Sequence, residues 1–124
     1  MSVPPFRATV AELGSGLGLV SLSGELDLYV ERGLRDSLAA ADGLGLHTVV
    51  VVVDLSGASF MDSTICGILV GEAKRRRSSD GDLVLVSNGT RTSRVLEVAG
   101  IDRVIRMFPT LHAALEELLL EPAQ

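Results

Sequence analysis

The sequence has little of what most catalytic and metal-binding sites are built from. It contains one cysteine, Cys66, and two histidines, His47 and His112, in 124 residues. A single cysteine excludes an internal disulfide, and neither histidine stands in a recognisable nucleophile motif with it. No metal-ligand cluster, pair of catalytic carboxylates or Ser-His-Asp arrangement is visible either. We therefore expect a chain without catalysis of its own, without a cofactor and without a bound metal.

Long apolar runs and surplus positive charge are also missing. No stretch of about 18 apolar residues is available to span a membrane, and residues 1–7 lack the apolar run of a signal peptide. Eleven Lys and Arg against 16 Asp and Glu give a net charge of -5. Because phosphate binding needs a basic surface, this balance argues against nucleic acid as the main partner. The composition predicts a cytoplasmic protein without membrane insertion, whose partners are proteins.

The chain is organised around the stretch from Val49 to Gly71. Its first five residues, Val49 to Val53, are all apolar and β-branched, which is typical of a strand buried on both faces. The small residues Ser56 to Ser59 then predict a turn, and Asp62-Ser63-Thr64 favours the start of a helix. Asp62 or Ser63 suits the role of N-cap. The unpaired N–H groups and the dipole at this helix end also favour an added anion.

A helical projection of the next segment separates an apolar face from a nearly bare one. The apolar face consists of Ile65, Cys66, Leu69 and Ala73. The bare face consists of Thr64, Gly67, Gly71 and Lys74. Each interior glycine costs about 1 kcal/mol relative to alanine, so two on one face indicate the close approach of another surface. That surface is either a neighbouring helix of the same chain or a partner protein, and the pattern leaves both open.

The segment F-M-D-S-T-I-C-G-I-L at Phe60 to Leu69 resembles the signature of the STAS domain. The likeness is strongest to the bacterial anti-sigma factor antagonists, whose usual form is close to F-M-D-S-S-G-L-G-x-L. Ser23 to Asp27 resembles the family's second strand, and Val95 to Asp102 resembles its late helix and turn, so the resemblance covers most of the chain. Ile65 is a clear departure, because the family usually has glycine there. This departure bears on how closely a partner approaches the first helical turn.

The resemblance implies a phosphorylation switch at Ser63. In the family, the serine directly after the aspartate is phosphorylated by a cognate anti-sigma factor that doubles as a serine kinase. The unphosphorylated protein would bind that anti-sigma factor and free the sigma factor, and a separate serine phosphatase would reset Ser63. The family also has Asp27 near this site. The expected partner-binding surface consists of Asp27, Asp62, Thr64, Gly67 and Gly71.

Two other functions stay open. STAS-like domains also occur in stress-signalling assemblies and lipid-transport complexes, so the chain could be a scaffold subunit of one of these. The glycine-rich stretch Gly14 to Gly18, with the exposed helix N-terminus, suggests a nucleotide-binding module instead. However, the strand-like residues Leu19 to Ser23 follow these glycines where a dinucleotide site requires a helix. A hairpin turn is therefore favoured over a phosphate-binding loop.

The remaining segments alternate between strands and helices. Strands are expected at Phe6 to Leu13, Leu19 to Asp27, Leu83 to Val86 and Ile101 to Met107. Helices are expected from about Tyr29, through Val95 to Val98, and from Pro109 to a stop at Pro122, the last with Leu111, Leu115, Leu118 and Leu119 inward. The basic run Lys74 to Arg77 predicts a solvated helix C-terminus or a contact to an acidic partner. The expected fold class is α/β: one STAS-like domain over 1–124, ordered over roughly 6–120, with a mixed central β-sheet and about four helices.

Overall fold

The computed structural model describes residues 6–14, 16–42 and 50–120. These residues form one mixed sheet whose strands are β1 (Arg7–Gly14), β2 (Leu17–Leu26), β3 (Val50–Met61), β4 (Asp82–Val86) and β5 (Met107–Phe108). The helices are α1 (Glu31–Asp42), α2 (Ser63–Arg77), α3 (Thr90–Val98) and α4 (Leu111–Leu120). The strands lie in chain order; β1 is antiparallel to β2, and the later neighbours are parallel. The predicted fold class, a mixed sheet with four helices, is confirmed.

The valine run forms the predicted central strand. Val51, Val52 and Val53 have no exposed surface. Because successive side chains of a strand point to opposite faces, Val51 and Val53 lie in the larger core cluster with residues of α1, α2 and α3, whereas Val52 packs in a second cluster with α4. Strand β3 is thus buried on both faces, as its sequence predicts. Val49 lies outside the described residues.

The predicted turn at Ser56 to Ser59 is wrong, because β3 continues to Met61. This second half of β3 pairs with the second half of β2 through two register irregularities. A Cβ atom at Gly57 would stand 2.8 Å from the Cβ of Ser23, so the small residue permits two backbones to approach closely. Small side chains at this point reflect strand packing rather than a reversal of the chain.

The glycine-rich stretch forms the predicted hairpin between β1 and β2. Gly14 and Gly16 have φ angles of 80° and 78°, in the left-handed region that favours glycine. Ser15 lies outside the described residues. Because a strand and not a helix follows, the stretch lacks the helix N-terminus on which a dinucleotide site holds its phosphates.

Two predictions about the C-terminal third need correction. The strand expected over Ile101 to Met107 contains a 3₁₀ turn at Ile101–Arg103, and only Met107 belongs to β5. The N–H groups of Val104 and Ile105 both donate to the carbonyl of Ile101, which makes this segment turn-like. In α4, Leu119 is exposed although it was expected inward. Ala114 and Leu118, four residues apart, face the sheet instead. Pro122 lies outside the described residues.

The prediction of a solvated basic run is wrong for Arg76, whose side chain is only 4% exposed. Its Nε donates to Glu72 Oε1 at 3.0 Å, and its Nη2 donates to Asp42 Oδ1 at 2.6 Å and to the Leu38 carbonyl at 3.1 Å. Arg75 also pairs with Glu72 and Asp42. The acidic partners of these arginines therefore belong to the same chain, and the ion pairs tie the C-terminal ends of α1 and α2 together.

This ion cluster predicts a dependence of stability on acid. Burial raises the pKa of Glu72, but the hydrogen bonds and charges of Arg75 and Arg76 outweigh it, so the pKa lies below its usual value of 4.5. Stability from Glu72 is therefore present above the unfolded pKa and lost as the pH falls through the lower folded value. We expect Glu72→Gln to lower the free energy of unfolding at pH 7 and to flatten its decline as the pH falls below 4.5, the usual pKa of a glutamate. Urea denaturation at a series of pH values measures this.

Glu97→Gln, at an exposed position of α3, serves as the control and should leave the pH profile of the wild type unchanged. If Glu72→Gln follows the wild-type profile as closely as Glu97→Gln does, the ion cluster contributes no stability through Glu72.

Candidate functional site

Asp62 and Ser63 have separate structural roles at the start of α2. Asp62 is the N-cap, with extended backbone angles of -99° and 172°. Its Oδ1 accepts hydrogen bonds from the N–H groups of Thr64 at 3.0 Å and Ile65 at 3.3 Å. Ser63 is the first residue of the helix, and its side chain is exposed. Among the described residues the Ser63 hydroxyl makes no hydrogen bond, so it is free to react.

The site is positioned by the ends of two parallel strands. Leu26 and Met61 pair across β2 and β3, and both side chains are buried. The Asp62 N–H donates to the Leu26 carbonyl at 3.1 Å, which fixes the point where β3 ends and α2 begins. Asp27 follows Leu26 directly, and its Oδ1 accepts from the Tyr29 N–H at 3.0 Å. Asp27 and Asp62 therefore lie on neighbouring strand ends, each one residue beyond the same pair.

The bare face of α2 does not pack against another part of the described chain. Gly67 and Gly71 are exposed, and a Cβ atom added at either position would meet no atom within 4 Å. Of the two surfaces that the sequence left open, a neighbouring helix of the same chain is therefore excluded within the described residues. Ile65, which replaces the family's usual glycine, is fully buried and adds no bulk to the exposed face.

A groove of about 500 Å³ runs between α1 and α2 beside this bare face. Thr64, Gly67 and Gly71 contribute to its α2 wall, and Glu31 and Arg35 contribute to its α1 wall. Arg35 Nε lies 3.1 Å from Glu31 Oε2, so the nearest charges are already paired along the helix. The groove thus offers small residues and balanced charge rather than the converging charges that would hold a nucleotide or a metal ion.

Among the described residues, Cys66 and His112 lie on helices that pack in different core clusters of the sheet. Cys66 is buried, and burial together with the charge of Asp62 raises the pKa of its thiol, so the reactive thiolate is disfavoured. His112 is exposed on α4, with Nε2 3.7 Å from Glu116, and His47 lies outside the described residues. In the described ranges no group of three His, Cys, Asp or Glu residues is arranged to hold a metal ion. None of the helices there is long and apolar enough to cross a bilayer.

Sequence reasoning did not single out three exposed apolar side chains beside this site, those of Leu28, Tyr29 and Phe60. The sequence does show these large apolar residues within three positions of the two strand ends, Leu26 and Met61. Periodicity did not predict that these side chains are exposed, because each residue also fits a core position of the neighbouring helix or strand.

The fold and the comparison with known proteins define the class of the protein. Residues 9–114 match the family model of the STAS domain, and the chain belongs to that family. Over 116 residues it is 30% identical to the anti-sigma-F factor antagonist RsfB of Mycobacterium tuberculosis, covering 93% of this chain and 92% of that protein. Over 88 residues it is 30% identical to the anti-sigma-B factor antagonist of Listeria monocytogenes, covering 71% of this chain and 75% of that one.

A solved structure extends this likeness to the fold. The crystal structure of an anti-sigma factor antagonist from Mycobacterium paratuberculosis superposes with a TM-score of 0.81 at 26% identity, covering 93% of this chain and 95% of that one. All three of these proteins carry the names of transcription regulators.

The N-cap predicts how Asp62 contributes to stability. Asp62→Ala removes the acceptor of two N–H groups and should lower the free energy of unfolding by about 1 kcal/mol. Asp62→Asn keeps an acceptor oxygen and should retain most of that stability while removing the charge. Urea denaturation of the three proteins measures both effects. Equal stability of Asp62→Ala and the wild type would show that the cap is unimportant for the fold.

Proposed function

We propose that the chain is an anti-sigma factor antagonist that phosphorylation of Ser63 switches off. The observation that carries this proposal is the exposed Ser63 hydroxyl, without a hydrogen bond in the described chain, directly after the N-cap Asp62. In its unphosphorylated form the chain binds an anti-sigma factor and thereby releases the sigma factor. The names of its relatives support this class of partner. Such a role belongs to the cytoplasm, where transcription takes place.

The chemistry at Ser63 is carried out by other proteins. The anti-sigma factor acts as a serine kinase: the Ser63 oxygen attacks the γ-phosphorus of ATP, its proton passes to a base of the kinase, and ADP leaves as the bond between the β- and γ-phosphates breaks. A separate serine phosphatase hydrolyses the phosphoserine back to serine and inorganic phosphate. The chain contributes a presented hydroxyl and a binding surface, and it needs no cofactor or catalytic group for either.

A phosphate on Ser63 changes the surface more than the fold. It adds about -1.5 to -2 charges and three acceptor oxygens beside the Asp62 carboxylate. The helix dipole partly stabilises this dianion, because Ser63 is the first residue of α2. The hydroxyl is exposed, so no buried group has to move to make room. Steric bulk and charge then act on a partner that fits the neutral hydroxyl.

The surface around Ser63 is suited to a closely fitting partner. Ser63 is flanked in the chain by Asp62 and Thr64. Asp27 lies at the end of the neighbouring strand. Gly67 and Gly71 continue the same helix face, where each costs about 1 kcal/mol relative to alanine. Since nothing in the described chain packs there, we assign these five residues to the surface that binds the anti-sigma factor.

The switch predicts opposite behaviour for two variants of Ser63. In the presence of ATP, Ser63→Ala should bind the anti-sigma kinase as tightly as the unphosphorylated wild type does, because the variant cannot be phosphorylated. Ser63→Asp should bind about 100-fold more weakly, a difference of about 2.8 kcal/mol. Isothermal titration with the anti-sigma kinases of the same genome, purified one at a time, measures both. Intact mass after incubation with kinase and ATP should show one added phosphate on the wild type.

Thr64→Ala is the matched control for the site, and it should still accept one phosphate. Equal affinities of Ser63→Ala and Ser63→Asp, or a phosphate that disappears in Thr64→Ala and persists in Ser63→Ala, would contradict the proposal.

The exposed glycines predict that a side chain at Gly71 changes both the free energy of unfolding and the affinity for the anti-sigma kinase. Gly71→Ala should raise the free energy of unfolding by about 1 kcal/mol, because its Cβ meets open space. Gly71→Leu should weaken binding to the anti-sigma kinase, since the larger side chain projects from the helix face that the partner is proposed to contact. Ala40→Leu, at an exposed position of α1, is the control and should leave binding unchanged. Wild-type affinity of Gly71→Leu would remove Gly71 from the interface.

A further inference from the structure

Large apolar side chains are exposed next to the Ser63 site. Tyr29 is 85% exposed, Leu28 57% and Phe60 48%. All three lie within three residues of the Leu26–Met61 pair in the chain. Single exposed apolar residues are ordinary on a protein surface, but two adjacent large ones, Leu28 and Tyr29, indicate a site of interaction. The turn after β2 is therefore a candidate interaction site in addition to Ser63.

The Leu28–Tyr29 segment is held in place before any partner arrives. The Tyr29 N–H donates to Asp27 Oδ1 at 3.0 Å, and the Val30 N–H donates to the Asp27 carbonyl at 3.1 Å. These bonds form a 3₁₀ turn between β2 and the first residue of α1. Because the backbone is already ordered, binding through Tyr29 loses little conformational entropy. Tyrosine in such a position is among the residue types that dominate binding energy.

The charges near Leu28 and Tyr29 indicate which side chains a partner protein would place around them. Glu25, Asp27 and Asp62 lie within the same stretches of chain, and residues 23–29 and 58–64 contain no Lys or Arg. The described structure gives none of these three carboxylates an ion pair with a cation. Carboxylates near an apolar centre are complementary to lysine or arginine side chains near an apolar pocket.

We propose that Leu28 and Tyr29, adjacent in the turn after β2, form an apolar anchor for the anti-sigma factor. The anchor enters an apolar pocket that lysine or arginine side chains of that partner border. This inference rests on the proposed function, since it assigns further contact residues to the same partner. The anchor lies outside α2 and does not carry the phosphate, so it contributes to binding in both states of Ser63. It also holds the chain while the kinase modifies Ser63.

The test compares variants that change one exposed side chain each. Tyr29→Ala should weaken binding to the anti-sigma kinase by at least about 30-fold. Tyr29→Phe keeps the ring and should bind within about threefold of the wild type. Val98→Ala removes an equally exposed apolar side chain from α3 and should bind as the wild type does. In steady-state phosphorylation of Ser63, Tyr29→Ala should raise KM for the protein substrate and leave kcat unchanged.

The outcomes separate this inference from the function on which it rests. If the wild type binds an anti-sigma kinase and Tyr29→Ala binds equally well, the anchor is wrong and the proposed function stands. Equal losses in Tyr29→Ala and Tyr29→Phe would assign the binding to the hydroxyl and overturn the apolar anchor. Equal losses in Tyr29→Ala and Val98→Ala would also overturn it, because position would not matter. If the wild type binds none of the kinases, both proposals are wrong.

Discussion

The site depends on the pairing of Leu26 with Met61 where β2 and β3 end together. The two side chains are buried in the core, and the Asp62 N–H closes the pairing by donating to the Leu26 carbonyl. One residue beyond each member stands an aspartate whose side chain caps the next helical turn. The start of α2, the turn that carries Tyr29 and the spacing between them therefore follow from one contact between strands. A shift of β3 by one residue would reverse which side chains face the core and would displace Ser63.

Helices α1 and α2 are held at both ends and separated in between. At one end the strand pairing fixes where each helix begins, and at the other the Arg76 guanidinium joins Glu72, Asp42 and the Leu38 carbonyl. Between these ends lies the groove beside Gly67 and Gly71, where no side chain fills the space. Because both ends are fixed, a charge added at Ser63 has little freedom to move the helices. The added charge would therefore act mainly on a partner protein that contacts this surface.

The parts of this structure that follow from local rules could be predicted from the sequence, and the rest could not. Burial of Val51 to Val53 and capping by Asp62 need only side-chain shape and nearby N–H groups. The failure at Ser56 to Ser59 came from a strand contact with β2 that no local pattern records. Arg76 was expected in solvent because its partner Asp42 lies 34 residues away. For the site, the serine and its cap were visible in the sequence, whereas the exposure of Tyr29 depends on how α1 leaves the sheet.

Asp62 has the structural role in this site, and the adjacent Ser63 has the regulated role that we propose. Asp62 accepts the two helix N–H groups, so the fold does not need the Ser63 hydroxyl. Had Ser63 been the N-cap, a phosphate there would have replaced the acceptor that holds the first turn, and modification would have altered the helix itself. With the cap on Asp62, a phosphate on Ser63 would add charge at an intact helix end. The carboxylate that stabilises the helix would also add its negative charge to that of the proposed phosphate, so one residue would both preserve the fold and strengthen the change that a partner meets.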